Sequence, residues 1–286
     1  MPPKRDALQY LLSPQYYNNL LQALEWFGTM LTADNTVVPK EFDDAADRRV
    51  ILICMTPRSG STALSSALAT TGQLGRGGEL LNRNSDALKS VLETHKPANL
   101  RALLDLVIEG SRSKNGVAQI KCDLPQILPF LLDPDCAPVL MQARIVYLTR
   151  EDLLGQAISR YRGFVSGTWH ARQDRDTQFA EVPYDYEAIT SQVHLITQMM
   201  ATYERLFAGL NLSPLRITYE EVVTDPGTVM RKIGALVDVD PGELSLDDGK
   251  YRKVAAKNTD ALRDQFLADC QTDLLRADKT LKPDAV

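Results

Sequence analysis

Residues 50–62 read VILICMTPRSGST and decide the fold of this chain. The apolar run at 50–55 predicts a buried strand. The small and hydroxyl-bearing residues after it predict a tight turn that opens a helix to about residue 71. This order of elements aims backbone N–H groups and a positive helix end at one point. We therefore predict that residues 56–62, here called the phosphate turn, bind a phosphate or a similar oxyanion.

Strand and helix patterns alternate along the rest of the chain. Further strands are predicted at 117–121, 144–149 and 215–219. Helices are predicted at 85–112 with a break at Pro97, then at 151–165, 184–208 and 259–276, and after Asp225-Pro226. This alternation predicts an α/β fold with a P-loop-like parallel sheet and helices on both faces. In such sheets, ligands bind beyond the carboxyl ends of the strands.

The N-terminal part carries a separate pattern. Ser13-Pro14 is typical of a helix start, and apolar residues from Tyr17 to Leu31 follow at helical spacing. Residues 32–48 are polar and turn-rich. We expect an N-terminal helical extension and linker over 1–48, and an α/β domain over 49–286.

Composition excludes several classes of protein. The 286 residues carry a net charge of −5, which argues against a nucleic-acid coat. The four cysteines form no C-x-x-C and the three histidines are dispersed, so no metal site is expected. No apolar stretch resembles a secretory signal or a membrane span, so we expect a cytoplasmic protein. A homodimer is compatible with the sequence.

The turn differs from that of nucleoside-triphosphate P-loops. That motif requires glycine at position 55 and lysine at 61, where this chain has Met55 and Ser61. Arg58 supplies the positive charge instead. The alternative is a turn without a ligand, because serine and glycine are common in turns.

A second anion-binding candidate follows the strand at 144–149. Arg150 stands at its carboxyl end, and Ser159, Arg160 and Arg162 follow on the next helix. A guanidinium and a hydroxyl are suited to a second phosphate, although Arg150 could instead pair with Glu151. Together with the phosphate turn, this predicts a nucleotide with phosphates at both ends of its ribose.

These motifs give the chain a family resemblance. It resembles sulfotransferases that use 3′-phosphoadenosine 5′-phosphosulfate, in particular the bacterial carbohydrate group of the trehalose 2-sulfotransferase and Nod-factor sulfotransferase type. The motifs that carry the resemblance are Arg58-Ser59-Gly60-Ser61-Thr62, Gly78-Glu79-Leu80-Leu81, Leu148-Thr149-Arg150-Glu151-Asp152, Gln156-Ala157-Ile158-Ser159 and Tyr219-Glu220-Glu221. They span about residues 48–275.

The resemblance implies a role for each matched residue. The turn residues Arg58, Ser59, Gly60, Ser61 and Thr62 would hold the 5′-phosphosulfate of the donor. Arg150 and Ser159 would hold its 3′-phosphate, and Arg252 would close over the nucleotide. Glu79 stands at the position of the catalytic carboxylate, and Trp169-His170 resembles a loop on the acceptor side. The residues after Glu79 differ from the trehalose enzyme, so the acceptor sugar stays open.

The resemblance implies sulfuryl transfer to a hydroxyl of a carbohydrate or glycolipid. Arg58 and the turn amides would stabilise developing charge, and no metal is required. Glu79 would take the acceptor proton, with His170 as the rival base. The alternatives for Glu79 and Lys121 are an exposed carboxylate and an exposed amine. Two other functions stay open: an atypical P-loop kinase, and a non-catalytic nucleotide-binding or scaffold protein.

Overall fold

The structure is a computed structural model of the whole chain. It describes Leu12, residues 14–31, 49–167, Trp169, 182–242 and 259–280, with side chains to residue 272 in the last range. The strands are β1 (Val50–Met55), β2 (Ala118–Cys122), β3 (Arg144–Thr149) and β4 (Leu215–Thr218). The helices are α1 (Pro14–Met30), α2 (Ser61–Thr70), α3 (Asp86–His95), α4 (Leu100–Ser111), α5 (Leu124–Leu132), α6 (Ala137–Gln142), α7 (Leu153–Ser166), α8 (Tyr186–Gly209), α9 (Tyr219–Thr224), α10 (Pro226–Ala235) and α11 (Thr259–Thr280).

The strands form one parallel sheet in the order β2-β1-β3-β4. This confirms the predicted α/β class. The chain leaves β1 for β2 on one side and later returns to β3 on the other, so the strand order reverses at β1. Ligand crevices in open parallel sheets lie at such a reversal, outside the carboxyl ends of the strands. The phosphate turn follows β1 and Arg150 follows β3, at neighbouring strand ends.

The chain separates into two compact units, and each is described here by itself. The first comprises residues 1–151 and 198–251, and the second comprises 152–197 and 252–286. The boundary within α8 falls between Thr197 and Gln198.

The core of the first unit covers both faces of the sheet. Alternate residues of β1, Ile51 and Ile53, pack in one cluster with Leu68 of α2 and Ile233 of α10. The intervening Leu52 and Cys54 line a small apolar cavity on the other face with residues of α5, α6 and α8: Ile127, Leu131, Leu140, Tyr203 and Phe207. Because side chains alternate along a strand, β1 is buried on both faces, as its continuous apolar run predicts.

The N-terminal helix α1 packs on α5 in this unit. Its buried stripe comprises Tyr16, Leu20, Ala23 and Phe27, at the spacing of one helix face. The rings of Phe27 and Phe130 meet edge to face with centroids 5.4 Å apart. The predicted helix is therefore present, with Leu20 and Phe27 of its predicted apolar face buried, whereas Leu21 of that face is 48% exposed.

Sequence analysis assigned no element to residues 123–143, where the structure has α5 and α6. Helix α5 carries one proline at its start and Pro129 inside. Asp123 and Gln126 form a capping box that fixes the first turn. A proline within the first turn costs no hydrogen bond, because the first N–H groups of a helix have no partner within it.

The second unit contains α7, the first part of α8 and α11. Its cluster comprises Ile158, Tyr161, Val182, Ile189, Leu262 and Phe266. Asp152 caps Gly155 at the start of α7 and also accepts from Arg263 of α11, at 2.5 Å. The hydroxyl of Tyr184 donates to Asp269 at 2.6 Å. The first contact fixes the start of α7 to α11, and the second fixes the segment before α8 to α11.

Candidate functional site

The phosphate turn has a backbone that few residue types adopt. Arg58 has φ of +67° and Gly60 has φ of +84°. The N–H of Ser59 donates to the carbonyl of Thr56 at 3.2 Å and closes the turn. A Cβ on Gly60 would lie 2.3 Å from Cδ2 of Tyr219, so glycine is required for space as well as for conformation. A left-handed arginine is a strained residue, and such residues cluster at ligand sites.

The helix α2 begins directly at this turn. Its N-cap is Gly60, which has no side chain to accept from the first amides. The N–H groups of Ser61 and Thr62 are therefore available to a ligand, and the helix dipole favours an anion there. Ser59 is fully buried, and its Oγ has no hydrogen-bond partner among the described residues. The turn thus has the donors that an oxyanion needs.

Two arginines lie beside the turn. Burial lowers the pKa of Arg58, and the positive charge of nearby Arg150 lowers it further. The guanidinium of Arg150 lies over the ring of Tyr219, 5.0 Å from its centroid. Because Gly60 also contacts the Tyr219 ring, Arg150 and the turn lie on the same side of the sheet. Two guanidiniums that repel each other favour an anion between them.

Ser159 of the predicted pair lies in the second unit, half-buried on α7. The neighbouring Arg162 is largely buried, burial lowers its pKa, and its Nη1 donates to Oγ1 of Thr259 at 3.1 Å. Arg160 donates to Gln192 and lies over the ring of Phe164 at 4.7 Å. Both arginines therefore have partners within their own unit.

Glu79 is held by residues distant in the sequence. Its Oε1 lies 3.0 Å from Nζ of Lys121, and its Oε2 accepts from Asn82 at 2.9 Å. The same Nζ of Lys121 donates to Oγ1 of Thr62, in the first turn of α2, at 3.0 Å. Lys121 is only 4% exposed. The alternatives of an exposed Glu79 carboxylate and an exposed Lys121 amine are therefore wrong. The two side chains form an ion pair, and Lys121 also contacts Thr62 of the phosphate turn.

The loop before Glu79 is fixed by glycines that pass close to β2. Gly75 and Gly77 have positive φ, and a Cβ on Gly77 would lie 2.2 Å from Oε1 of Gln119. The N–H of Lys121 donates to the carbonyl of Gly78 at 3.1 Å. This contact with the end of β2 positions the carboxylate one residue later.

The aromatic residues of α7 divide into two kinds. Tyr161 belongs to the core of the second unit, and its hydroxyl donates to the carbonyl of Pro183 at 2.6 Å. Phe164 is exposed and meets Trp169 edge to face, with centroids 4.7 Å apart. Tyr161 is therefore a core residue, whereas the Phe164–Trp169 pair is a candidate contact for an acceptor.

Two predicted site residues, His170 and Arg252, lie outside the described residues. In the part of the chain that is described, no helix is long and apolar enough to cross a membrane. No cluster of three or more histidine, cysteine or carboxylate side chains suited to a metal ion occurs there either.

Sequence reasoning missed the part that Tyr219 plays between the turn and Arg150. It placed Tyr219 at the end of a strand, but β4 ends at Thr218 and Tyr219 begins α9. Thr218 and Glu221 form a capping box, and this spacing is the signal that predicts the helix start.

One family model matches part of the chain. The model of the Stf0 sulphotransferase family matches residues 135–269. This match supports a bacterial sulfotransferase family, as the sequence resemblance predicts. No curated protein matches the chain.

Solved sulfotransferase structures are also similar. A sulfotransferase from Alicyclobacillus acidocaldarius is 17% identical, with 82% of this chain and 96% of that chain covered and a TM-score of 0.42. The sulfotransferase domain from the curacin biosynthetic pathway is 16% identical, with 68% of this chain and 78% of that chain covered and a TM-score of 0.40.

Proposed function

Because residues 135–269 match the Stf0 sulphotransferase family, which supports sulfotransferase activity, we propose a specific reaction for this chain. The enzyme transfers a sulfuryl group from 3′-phosphoadenosine 5′-phosphosulfate to a hydroxyl of a carbohydrate or glycolipid. The sequence resemblance supplies the donor and the acceptor class. The residues around the phosphate turn supply the physical support.

One observation carries the most weight for a bisphosphorylated donor. Arg58 and Arg150 follow neighbouring strands and are close enough for the charge of one to lower the pKa of the other. The 5′-phosphosulfate is assigned to the turn amides and Arg58. The 3′-phosphate is assigned to Arg150. Guanidiniums bind phosphates through parallel N–H donors, which suits both assignments.

The proposed reaction is an in-line transfer. The acceptor oxygen forms a bond to sulfur while the bond from sulfur to the 5′-phosphate oxygen breaks, and the electron pair stays on that oxygen. Adenosine 3′,5′-bisphosphate leaves as an anion, stabilised by the turn amides and Arg58. The acceptor proton passes to Glu79, whose Oε1 lies 3.0 Å from Nζ of Lys121.

The test offers the purified chain labelled donor and a panel of sugars, glycolipids and phenols. We expect a sulfated sugar or glycolipid, with equimolar adenosine 3′,5′-bisphosphate, measured by mass spectrometry. Adenosine 5′-phosphosulfate lacks the 3′-phosphate and should react poorly.

Other outcomes would contradict the proposal. Sulfation of phenols alone would overturn the acceptor class. Phosphorylated product from magnesium ATP would favour the kinase alternative. Donor binding without transfer to any acceptor would favour the non-catalytic alternative.

A further inference from the structure

Lys121 has contacts that donor binding and base catalysis leave unexplained. It lies in β2, beside Ile53 of β1 in the sheet register, and is 4% exposed. Its Nζ contacts Oε1 of Glu79 and Oγ1 of Thr62, each at 3.0 Å. One buried ammonium thus joins the carboxylate to the first turn of the helix that follows the phosphate turn.

Stability alone is a poor reason for this arrangement. Removing an ammonium from water costs several kcal/mol, and apolar replacements of buried ion pairs are often neutral or stabilising. Apolar residues at both position 121 and position 79 would avoid that cost. The charge at this position therefore indicates a purpose beyond packing.

The geometry restrains both oxygens of Glu79. Lys121 holds Oε1 and Asn82 holds Oε2, so the carboxylate has a defined orientation. Because Lys121 also holds Thr62, movement of the carboxylate relative to the phosphate turn requires a broken hydrogen bond. Transfer reactions are sensitive to displacements of this kind, since reacting groups must be held within a fraction of an ångström.

We propose that Lys121 is a positioning residue for sulfuryl transfer that acts through Glu79. Its ammonium contacts Oε1 of Glu79 and Oγ1 of Thr62, and so sets the carboxylate at a fixed place beside the phosphate turn. This inference rests on the proposed function.

The experiment is a double-mutant cycle of Lys121→Met and Glu79→Gln, with Lys89→Met as the control. Lys89 is an exposed lysine on α3, paired with Asp86. We expect Lys121→Met to lower kcat by about 10²-fold, with the Kd for adenosine 3′,5′-bisphosphate within about 3-fold of the unmodified chain. In the Glu79→Gln background the same change should lower kcat no further, because residues that act as a unit are not additive.

Melting temperature and the fraction of chains that bind nucleotide are measured for each variant, and kcat is expressed per binding site. If Lys121→Met does not fold, Lys121→Gln replaces it, because the shorter glutamine side chain retains an N–H donor. We expect Lys121→Gln to lower kcat by about 10-fold.

Several results would overturn the inference. One is an unchanged kcat per binding site in the folded Lys121 variants. Another is a loss that multiplies with that of Glu79→Gln, since Lys121 would then act independently. An unmodified chain that transfers no sulfuryl group removes the proposed function as well, whereas an active chain with an insensitive Lys121 removes this inference alone.

Discussion

The phosphate turn and Glu79 are placed by different means. The turn is formed by consecutive residues at the end of β1, and its conformation is set by its own backbone and by Gly60. Glu79 lies in a loop, and its place depends on Lys121 from β2 and on Asn82. A local motif therefore binds the proposed donor, whereas long-range pairing aims the proposed base. Changes to the two parts should consequently have different effects on binding and on rate.

The largest effect is expected for Glu79→Gln. Amide nitrogen and oxygen cannot accept the acceptor proton, so kcat should fall by about 10³-fold. Binding of adenosine 3′,5′-bisphosphate, measured by calorimetry, should be unchanged. Glu93→Gln on the exposed side of α3 is the matched control. A full rate in Glu79→Gln would transfer the role of base to His170.

A smaller effect, on binding, is expected for Arg150→Ala. Loss of a charged donor to phosphate costs about 2–3 kcal/mol, which is a 30- to 100-fold rise in the Kd for the bisphosphate nucleotide. Adenosine 5′-phosphate should be far less sensitive, because it lacks the 3′-phosphate. Arg231→Ala, at an exposed position of α10, serves as the control. Equal losses for both nucleotides would contradict the assignment of Arg150 to the 3′-phosphate.

Gly60→Ala tests the contact between the turn and Tyr219. The added Cβ would meet the ring at 2.3 Å, whereas Gly116 has nearly the same φ, +85°, with nothing within 4 Å. Gly60→Ala and Gly116→Ala each cost about 1 kcal/mol, because alanine is strained at positive φ. Gly60→Ala should lower the free energy of unfolding by about 1–2 kcal/mol more, because the Tyr219 ring must move. Urea denaturation measures both. Equal losses would show that the ring moves aside without cost.

The smallest effect is expected for Glu221→Gln, which weakens the capping box of α9. The backbone N–H of Thr218, first, and Lys232 lower the pKa of Glu221. Because the pKa of Glu221 is lower in the folded chain, its charge stabilises the folded chain at a pH above its pKa in the unfolded chain, about 4.3. This stabilisation is lost as the pH falls through the pKa of Glu221 in the folded chain. The Glu221 side chain is 42% exposed, so we expect Glu221→Gln to lower the free energy of unfolding by only about 0.5 kcal/mol.

The free energy of unfolding of the unmodified chain and of Glu221→Gln should therefore differ at pH 7 and converge in acid. A difference that persists unchanged at pH 3 would assign the effect to side-chain packing. Nucleotide binding should be nearly unaffected at pH 7, unless Tyr219 moves with the start of α9.

Local patterns predicted most of the fold. The apolar run of β1, the break at Pro97 and the cap at Asp225 each depend on neighbouring residues, and the structure has the expected elements there. Helices α5 and α6 were not predicted, although the spacing of Asp123 and Gln126 is that of a capping box. The start of α9 was missed because the spacing of Thr218 and Glu221 was not used.

The sequence by itself determined the parallel α/β class and a phosphate turn at the end of β1, because both follow from periodicity and from residues adjacent in the chain. Only the tertiary structure decided that Lys121 joins Glu79 to Thr62, and that Tyr219 lies between Gly60 and Arg150. Those contacts depend on which strands are neighbours and on how loops pass over them. The spacing of residues along the chain indicates neither which strands are neighbours nor where the loops pass.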